Sequence, residues 1–318
     1  MNCRSDNKIV VVLALCGNLA IAASKFVAAS LTGSTAMASE GIHSLADTAN
    51  ELLLLYGIRR AERPADLRHP FGHGREAYFW SFIVALLIFA IGAGVSFYQG
   101  VSHLYAPHPL GNLRAVYVVI AVSFVFEGIS WWAALSRIRR TRGDLGYYEA
   151  VRSSKDPTLF TVLFEDSAAL LGLVAALVGT VLADVTGRPE FDAAASLAIA
   201  LVLCATSFLL ARETKALLIG EPAHSTLQHS ILAIAGEDPA IANANGVITV
   251  QLGPNHVFVA MSAEFEDRLK TPEIESCVER VEAAVRTKHP EIVALFVKPQ
   301  TRAVWQERRD RLQAASDA

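Results

Sequence analysis

Six stretches of this chain are each long and apolar enough to cross a lipid bilayer, and that property rules out most folds. A helix needs about 20 residues to span the hydrocarbon layer. Runs of that kind lie near residues 8–31, 34–58, 77–102, 112–136, 158–184 and 190–218. Unpaired backbone amides are not tolerated in lipid, so each run is expected to be a helix. A buried soluble bundle is the alternative, and six such runs within the first 220 residues weigh against it. Composition agrees: 53% of the residues are hydrophobic and 19% charged, with mean hydropathy +0.36. The net charge of −3 gives no basis for a nucleic-acid partner. Cys3, Cys16, Cys204 and Cys277 are scattered, with no CxxC pair, which argues against a cysteine-based zinc site. The first run has no cleavage pattern after it and reads as a retained span.

The basic residues orient these spans. Arg59, Arg60, Arg63, Arg68 and Arg75 follow the second run, and Arg137, Arg139, Arg140, Arg142, Arg152 and Lys155 follow the fourth. The segment 103–113 has none, and 185–189 has Arg188 alone. Positive charge marks the cytoplasmic side, so both termini are expected there, and an even span count agrees. The expected setting is a bacterial inner membrane.

From about Glu221 the pattern changes. Residues 247–252 and 257–265 alternate like strands, with Val257, Val259, Met261, Ala263 and Phe265 on one face. Residues 225–236 read as a helix. A second helix runs from Thr271 to Lys288, with Thr271 as N-cap, Pro272 at the first turn and a stripe of Ile274, Val278, Val281 and Val285. Residues 292–298 read as a third strand. The expected architecture is an all-α six-helix transmembrane domain (1–220) followed by a small cytoplasmic α+β domain of α-β-β-α-β order, ferredoxin-like (221–301). A charged tail (302–318) follows.

Within the second run lies Glu40-Gly-Ile-His-Ser-Leu-Ala-Asp47. Helical residues turn about 100° each, so His43 and Asp47 share a face, and Glu40 and Asn50 fall on the same stripe. A carboxylate at the bilayer centre costs about 2.5–3.5 kcal/mol on insertion scales, so such groups usually serve cation or proton binding. The fifth run supplies Glu165 and Asp166, about 100° apart. One imidazole with carboxylates from two helices can enclose a divalent ion, and protons compete for the same groups. That is the minimum for metal–proton exchange. The alternative for His43 is a hydrogen-bonded packing role. Glu165 either ligates or contacts a neighbouring helix, and Glu127 suits a proton pathway or an interhelical hydrogen bond. Asn18 and Lys25 read as packing or interfacial groups, and Asp192 as a partner for a helix N-terminus. Ala168, Gly172, Ala176 and Gly179 form a small-residue row for close helix packing. No HExxH motif or nucleophile constellation supports an intramembrane hydrolase.

"HSLAD" resembles the HxxxD or DxxxD half-site of the cation diffusion facilitators, whose second half-site lies in the fifth span. "SEGIHSLADT", "DPTLFTVLFEDSAALLG" and "ALLIGEP" resemble one zinc-transporter branch of that family. The resemblance covers residues 8 to 299. It implies six spans, a C-terminal α+β domain, and a homodimer exchanging zinc or a related ion for protons, with no organic cofactor. It places the transmembrane metal at His43, Asp47 and Asp166, with Glu165 or water as a fourth ligand. Val162 stands where the family has His or Asp. Fewer imidazoles shift the ligand set toward oxygen, which keeps manganese, iron and cobalt open beside zinc. The missing ligand also keeps open a non-transporting, metal-sensing subunit. "DLRHPFGH" resembles a cytoplasmic loop that binds a second metal in some members; Asp66, His69 and His73 match it. A solvated loop contacting head groups or a partner is the alternative. Ser262 and Phe296 replace histidines of the family's C-terminal sites, and His224 and His256 are isolated, so that domain is expected to serve dimerisation.

Overall fold

A computed structural model of the protein describes residues 3–106, 113–141 and 155–316. Arg142 and Arg152, which entered the charge argument, lie outside them. The chain forms two compact units. The first comprises Met1–Arg59 and Ala77–Lys215, the second Arg60–Glu76 and Ala216–Ala318.

The first unit is helical. Its helices are α1 (Cys3–Thr32), α2 (Thr35–Ala61), α3 (Arg75–Tyr105), α4 (Arg114–Thr141), α5 (Pro157–Thr186) and α6 (Glu190–Ile219). The last residues of α2 and the first two of α3 are shared with the second unit. Among the described residues, four helices are long and apolar enough to cross a membrane: Arg75–Tyr105, Arg114–Ser136, Phe160–Thr186 and Glu190–Ile219. Helix α2 is of similar length, yet its middle carries Glu40, Asp47 and Glu51. Helix α4 runs on to Thr141, so Arg137, Arg139 and Arg140 extend a helix instead of a loop.

Local chemistry sets the helix ends. Asp156 caps α5 by accepting from the Thr158 N–H at 3.0 Å, Pro157 opens the first turn, and Gly187 closes the helix at φ +69°. Gly33 turns α1 into α2 at φ +72°. Helix α2 is capped from a distance. Asp192, in the first turn of α6, accepts from the Thr35 and Ala36 N–H groups at 2.6 and 3.2 Å and from the Ser34 hydroxyl at 2.6 Å. Asp192 therefore partners another helix's N-terminus, and it pins the start of the helix that carries His43. Helix α3 is π-helical over Ile88–Ala93. Within that segment Gly92 leaves room for Leu203 of α6.

The second unit runs α7 (Ser225–Gly236), β1 (Ile241–Gly253), β2 (His256–Phe265), α8 (Thr271–Lys288), β3 (Ile292–Pro299) and α9 (Arg302–Ser316). The sheet order is β1-β2-β3, with β1 antiparallel and β3 parallel to β2. Val257, Val259, Met261 and Ala263 face a core closed by Ile231, Val281 and Val285, as alternation predicts. Strand β1 starts six residues before the expected 247, because register shifts at Ile241/Asn243 and Ala244/Gly246 break the alternation that marks a strand. The N-cap of α8 is Lys270 and not Thr271: the Lys270 N–H donates to Glu273 Oε2 at 2.7 Å. The tail is helical, and Trp305 of α9 lies against Gly246, where any Cβ would meet the indole.

Candidate metal centre

The polar stripe of α2 lines one face and meets α1 and α5. His43 is fully buried, with Nδ1 3.2 Å from Asp47 Oδ1, one turn on. Among the described residues His43 Nε2, which is buried, has no hydrogen-bond partner. A buried orphaned ring nitrogen costs free energy unless a ligand takes it. Asn50, a turn further, donates from Nδ2 to Glu165 Oε1 at 2.8 Å. Glu51 accepts from Asn18 Nδ2 of α1 at 2.9 Å. At the other end of the stripe, Glu40 meets Lys25 of α1.

The two acids of α5 part company. Glu165 is buried and tied to α2 through Asn50, whereas Asp166 turns toward α4 and accepts from Ser130 Oγ at 2.8 Å. Adjacent helical residues point about 100° apart, which forces this division. Val162 lies a turn before Asp166 and has no donor atom to offer. The small-residue row of α5 lets α2 come close: a Cβ on Gly172 would strike Glu40 Oε1.

In the second unit the loop between α2 and α3 gathers Asp66, His69 and His73, whose candidate ligand atoms all lie within 4.8 Å of one another. Among the described residues this is the group of three or more such side chains that closes so tightly; His43, Asp47, Glu165 and Asp166 do not. Asp66 Oδ1 accepts from the Arg68 and His69 N–H groups at 2.8 and 2.7 Å, a local turn that its short side chain favours. Those backbone bonds, led by His69, hold the Asp66 carboxyl below the usual carboxylate range. Gly72, at φ +83°, reverses the chain so that the His69 and His73 rings stand 4.2 Å apart. Gly74 lies against the Leu252 carbonyl and Gly253, where a Cβ has no room. His73 Nε2 is 3.7 Å from Asp66 Oδ2.

Other candidates are engaged elsewhere. His224 caps α7. Ser262 donates to Gln300 Oε1 at 3.2 Å. Lys25, read from the sequence as a packing or interfacial group, is wholly buried between two carboxylates. Its one signal was a lone cation in an apolar run, which spacing alone could not pair with Glu40 and Glu127.

Residues 11–219 match the family model for the cation efflux transmembrane domain. The chain belongs to the cation efflux family. This cation efflux protein is 37% identical over 266 residues to the proton-coupled zinc antiporter SLC30A9, mitochondrial, of Xenopus laevis, covering 82% of this chain and 47% of that one. The human SLC30A9 is 35% identical over 265 residues, covering 82% and 46%. The cation-efflux pump FieF of Serratia proteamaculans is 24% identical over 273 residues, covering 84% and 83%. The cation efflux chain thus spans about half the length of the SLC30A9 relatives it matches. The matched family model takes in the α2 stripe and both acids of α5, and ends at the last residue of α6.

Proposed function

We propose that the protein is a secondary transporter that exports a divalent metal, zinc first, in exchange for protons. The observation that carries this reading is the buried His43–Asp47 pair, with an orphaned Nε2, in a chain of the cation efflux family. The SLC30A9 relatives are named proton-coupled zinc antiporters, which supports the same substrate pair.

The metal is held by His43, Asp47 and Asp166, with Glu165 as a fourth ligand. Loading needs neutral imidazole and ionised carboxylates, so each proton that enters expels cation charge. Asn50 and Ser130 hold the α5 acids while no ion is bound. Binding exchanges those hydrogen bonds for metal–oxygen bonds, and the helices then rock to the other side. Asp66, His69 and His73 form a second, loop site whose preorganised turn favours a cation.

The architecture we assign is six spans (1–220), a cytoplasmic ferredoxin-like domain (221–301) that dimerises two copies, and the tail (302–318). Both termini lie on the arginine-rich, cytoplasmic side of a bacterial inner membrane. The mitochondrial label of the SLC30A9 relatives makes an organelle membrane the alternative. Oxygen-rich ligation favours a second reading in which manganese, iron or cobalt is the cargo.

The test is uptake of zinc, manganese, iron and cobalt into proteoliposomes holding the full chain under a pH gradient. Zinc flux that Asp47→Ala abolishes supports the reading. No flux of any metal, with wild type and Asp47→Ala alike, refutes transport.

A further inference from the structure

Among the described residues of the helical unit, Lys25 is a buried cation that the metal site does not use. Its Nζ lies 3.0 Å from Glu40 Oε2 and 3.8 Å from Glu127 Oε1, and donates to Ser44 Oγ at 2.7 Å. The lysine and Glu40 are fully buried, and the Glu127 side chain is 15% exposed. Two carboxylates from different helices and a hydroxyl around one positive charge make up a cation site whose occupant is part of the chain.

We propose that the Lys25 ammonium fills this site to keep the transported ion out of it, which makes Lys25 a specificity-determining residue for one-way release. This inference rests on the transport reading above. Along α2, Glu40 stands one turn from His43, on the side of Thr35. Beyond it lies a cavity of about 500 Å³ at the Thr35 end, bordered by Phe26, Ser34, Thr35, Ala38, Gln99 and His103. On this proposal an ion leaving His43 and Asp47 toward the Thr35 end of α2 runs along the stripe that carries Glu40. Unpaired, Glu40 and Glu127 would recapture it, because buried carboxylates bind divalent ions strongly. A tethered ammonium occupies the space between them, offsets one of their two negative charges and adds no exchangeable ion. Gly172 fits the arrangement: with no side chain there, Glu40 can sit at the α2–α5 contact and still reach Lys25.

The experiment is equilibrium dialysis of the purified full chain against zinc, comparing wild type with Lys25→Met, Lys25→Gln, Lys25→Arg and Lys25→Met/Glu40→Gln. Any zinc held at Asp66, His69 and His73 is common to all and cancels. The expected result is one additional zinc per chain in Lys25→Met and Lys25→Gln, and the wild-type number in Lys25→Arg and the double variant. Lys25→Gln keeps a donor for Ser44 and serves where Lys25→Met fails to fold. Folded neutral variants that bind the wild-type number of zinc ions overturn the proposal. Absence of flux in wild type refutes the transport reading instead, and the zinc count remains a separate result.

Discussion

Asn50 Nδ2 donates to Glu165 Oε1 across 2.8 Å, and this buried bond joins α2 to α5. It sits one turn from Asp47, so the hydrogen bond that holds the helices together also holds a candidate ligand. Asn50→Ala leaves Glu165 buried without its donor and should cost about 1–3 kcal/mol of stability. Glu165→Gln keeps an acceptor for Asn50 and should melt near wild type. Thermal unfolding of both, with zinc affinity by dialysis, separates the structural role from ligation: Glu165 is not an essential ligand if Glu165→Gln binds zinc as wild type does.

Val162 lies one turn before Asp166, where a donor would complete an HxxxD pair. Val162→His should raise zinc affinity relative to manganese by about tenfold, worth about 1.4 kcal/mol. Competition dialysis checks this, and an unchanged zinc-to-manganese ratio would show that position 162 does not face the ion.

The loop depends on Asp66 for shape as well as charge. Asp66→Ala removes both backbone bonds at Arg68 and His69. The chain should then bind one zinc fewer, with transport retained if the loop site is auxiliary. Dialysis and proteoliposome flux on the same preparation test this.

Asp238 accepts from Arg280 Nε and Nη2 at 2.9 and 3.0 Å. The guanidinium holds the Asp238 carboxyl below the usual range, so the folded chain takes up this proton less readily than the unfolded one. The resulting stability is fully present above about pH 3.9, the ordinary Asp value, and fades as pH falls through the lowered one. The gap in melting temperature between wild type and Asp238→Asn at pH 7 should therefore close on acidification. A gap that widens toward low pH would contradict the assignment. Beside this pair, burial pushes the Cys277 thiol up to about 11, with Asp238 adding to the rise. Roughly one thiol in a thousand is then ionised at pH 8. Native protein should resist iodoacetamide at Cys277 and react once unfolded, which mass spectrometry of the alkylated peptide reads.

Trp305 fills the space above Gly246. Gly246→Ala should displace α9 and lower stability by about 1–3 kcal/mol through overpacking. Limited proteolysis should cut the variant after Gln300 sooner than wild type.

Much of the fold was legible because its signals are local. Apolar runs mark helices wherever lipid or a core imposes the same demand, and Val257 to Ala263 alternate because a strand exposes two faces. Strand β1 extends beyond its alternating stretch because bulges near Asn243 and Gly246 interrupt that alternation. The stripe from Glu40 to Asn50 was visible for the same reason: a helix fixes which residues share a face.

What the sequence determined by itself, then, is which polar residues stand together on one helix, since 3.6 residues per turn leaves no choice. It set His43 beside Asp47, with Glu40 and Asn50 on the same stripe. Only the tertiary structure decided which helices meet. It turned Glu165 toward Asn50 and Asp166 toward Ser130, and brought Asp192 to the start of α2 across 157 residues of chain. It also placed Lys25 between Glu40 and Glu127. These pairings depend on the rotation and depth at which packed helices settle, and small residues such as Gly172 set that packing across the whole bundle.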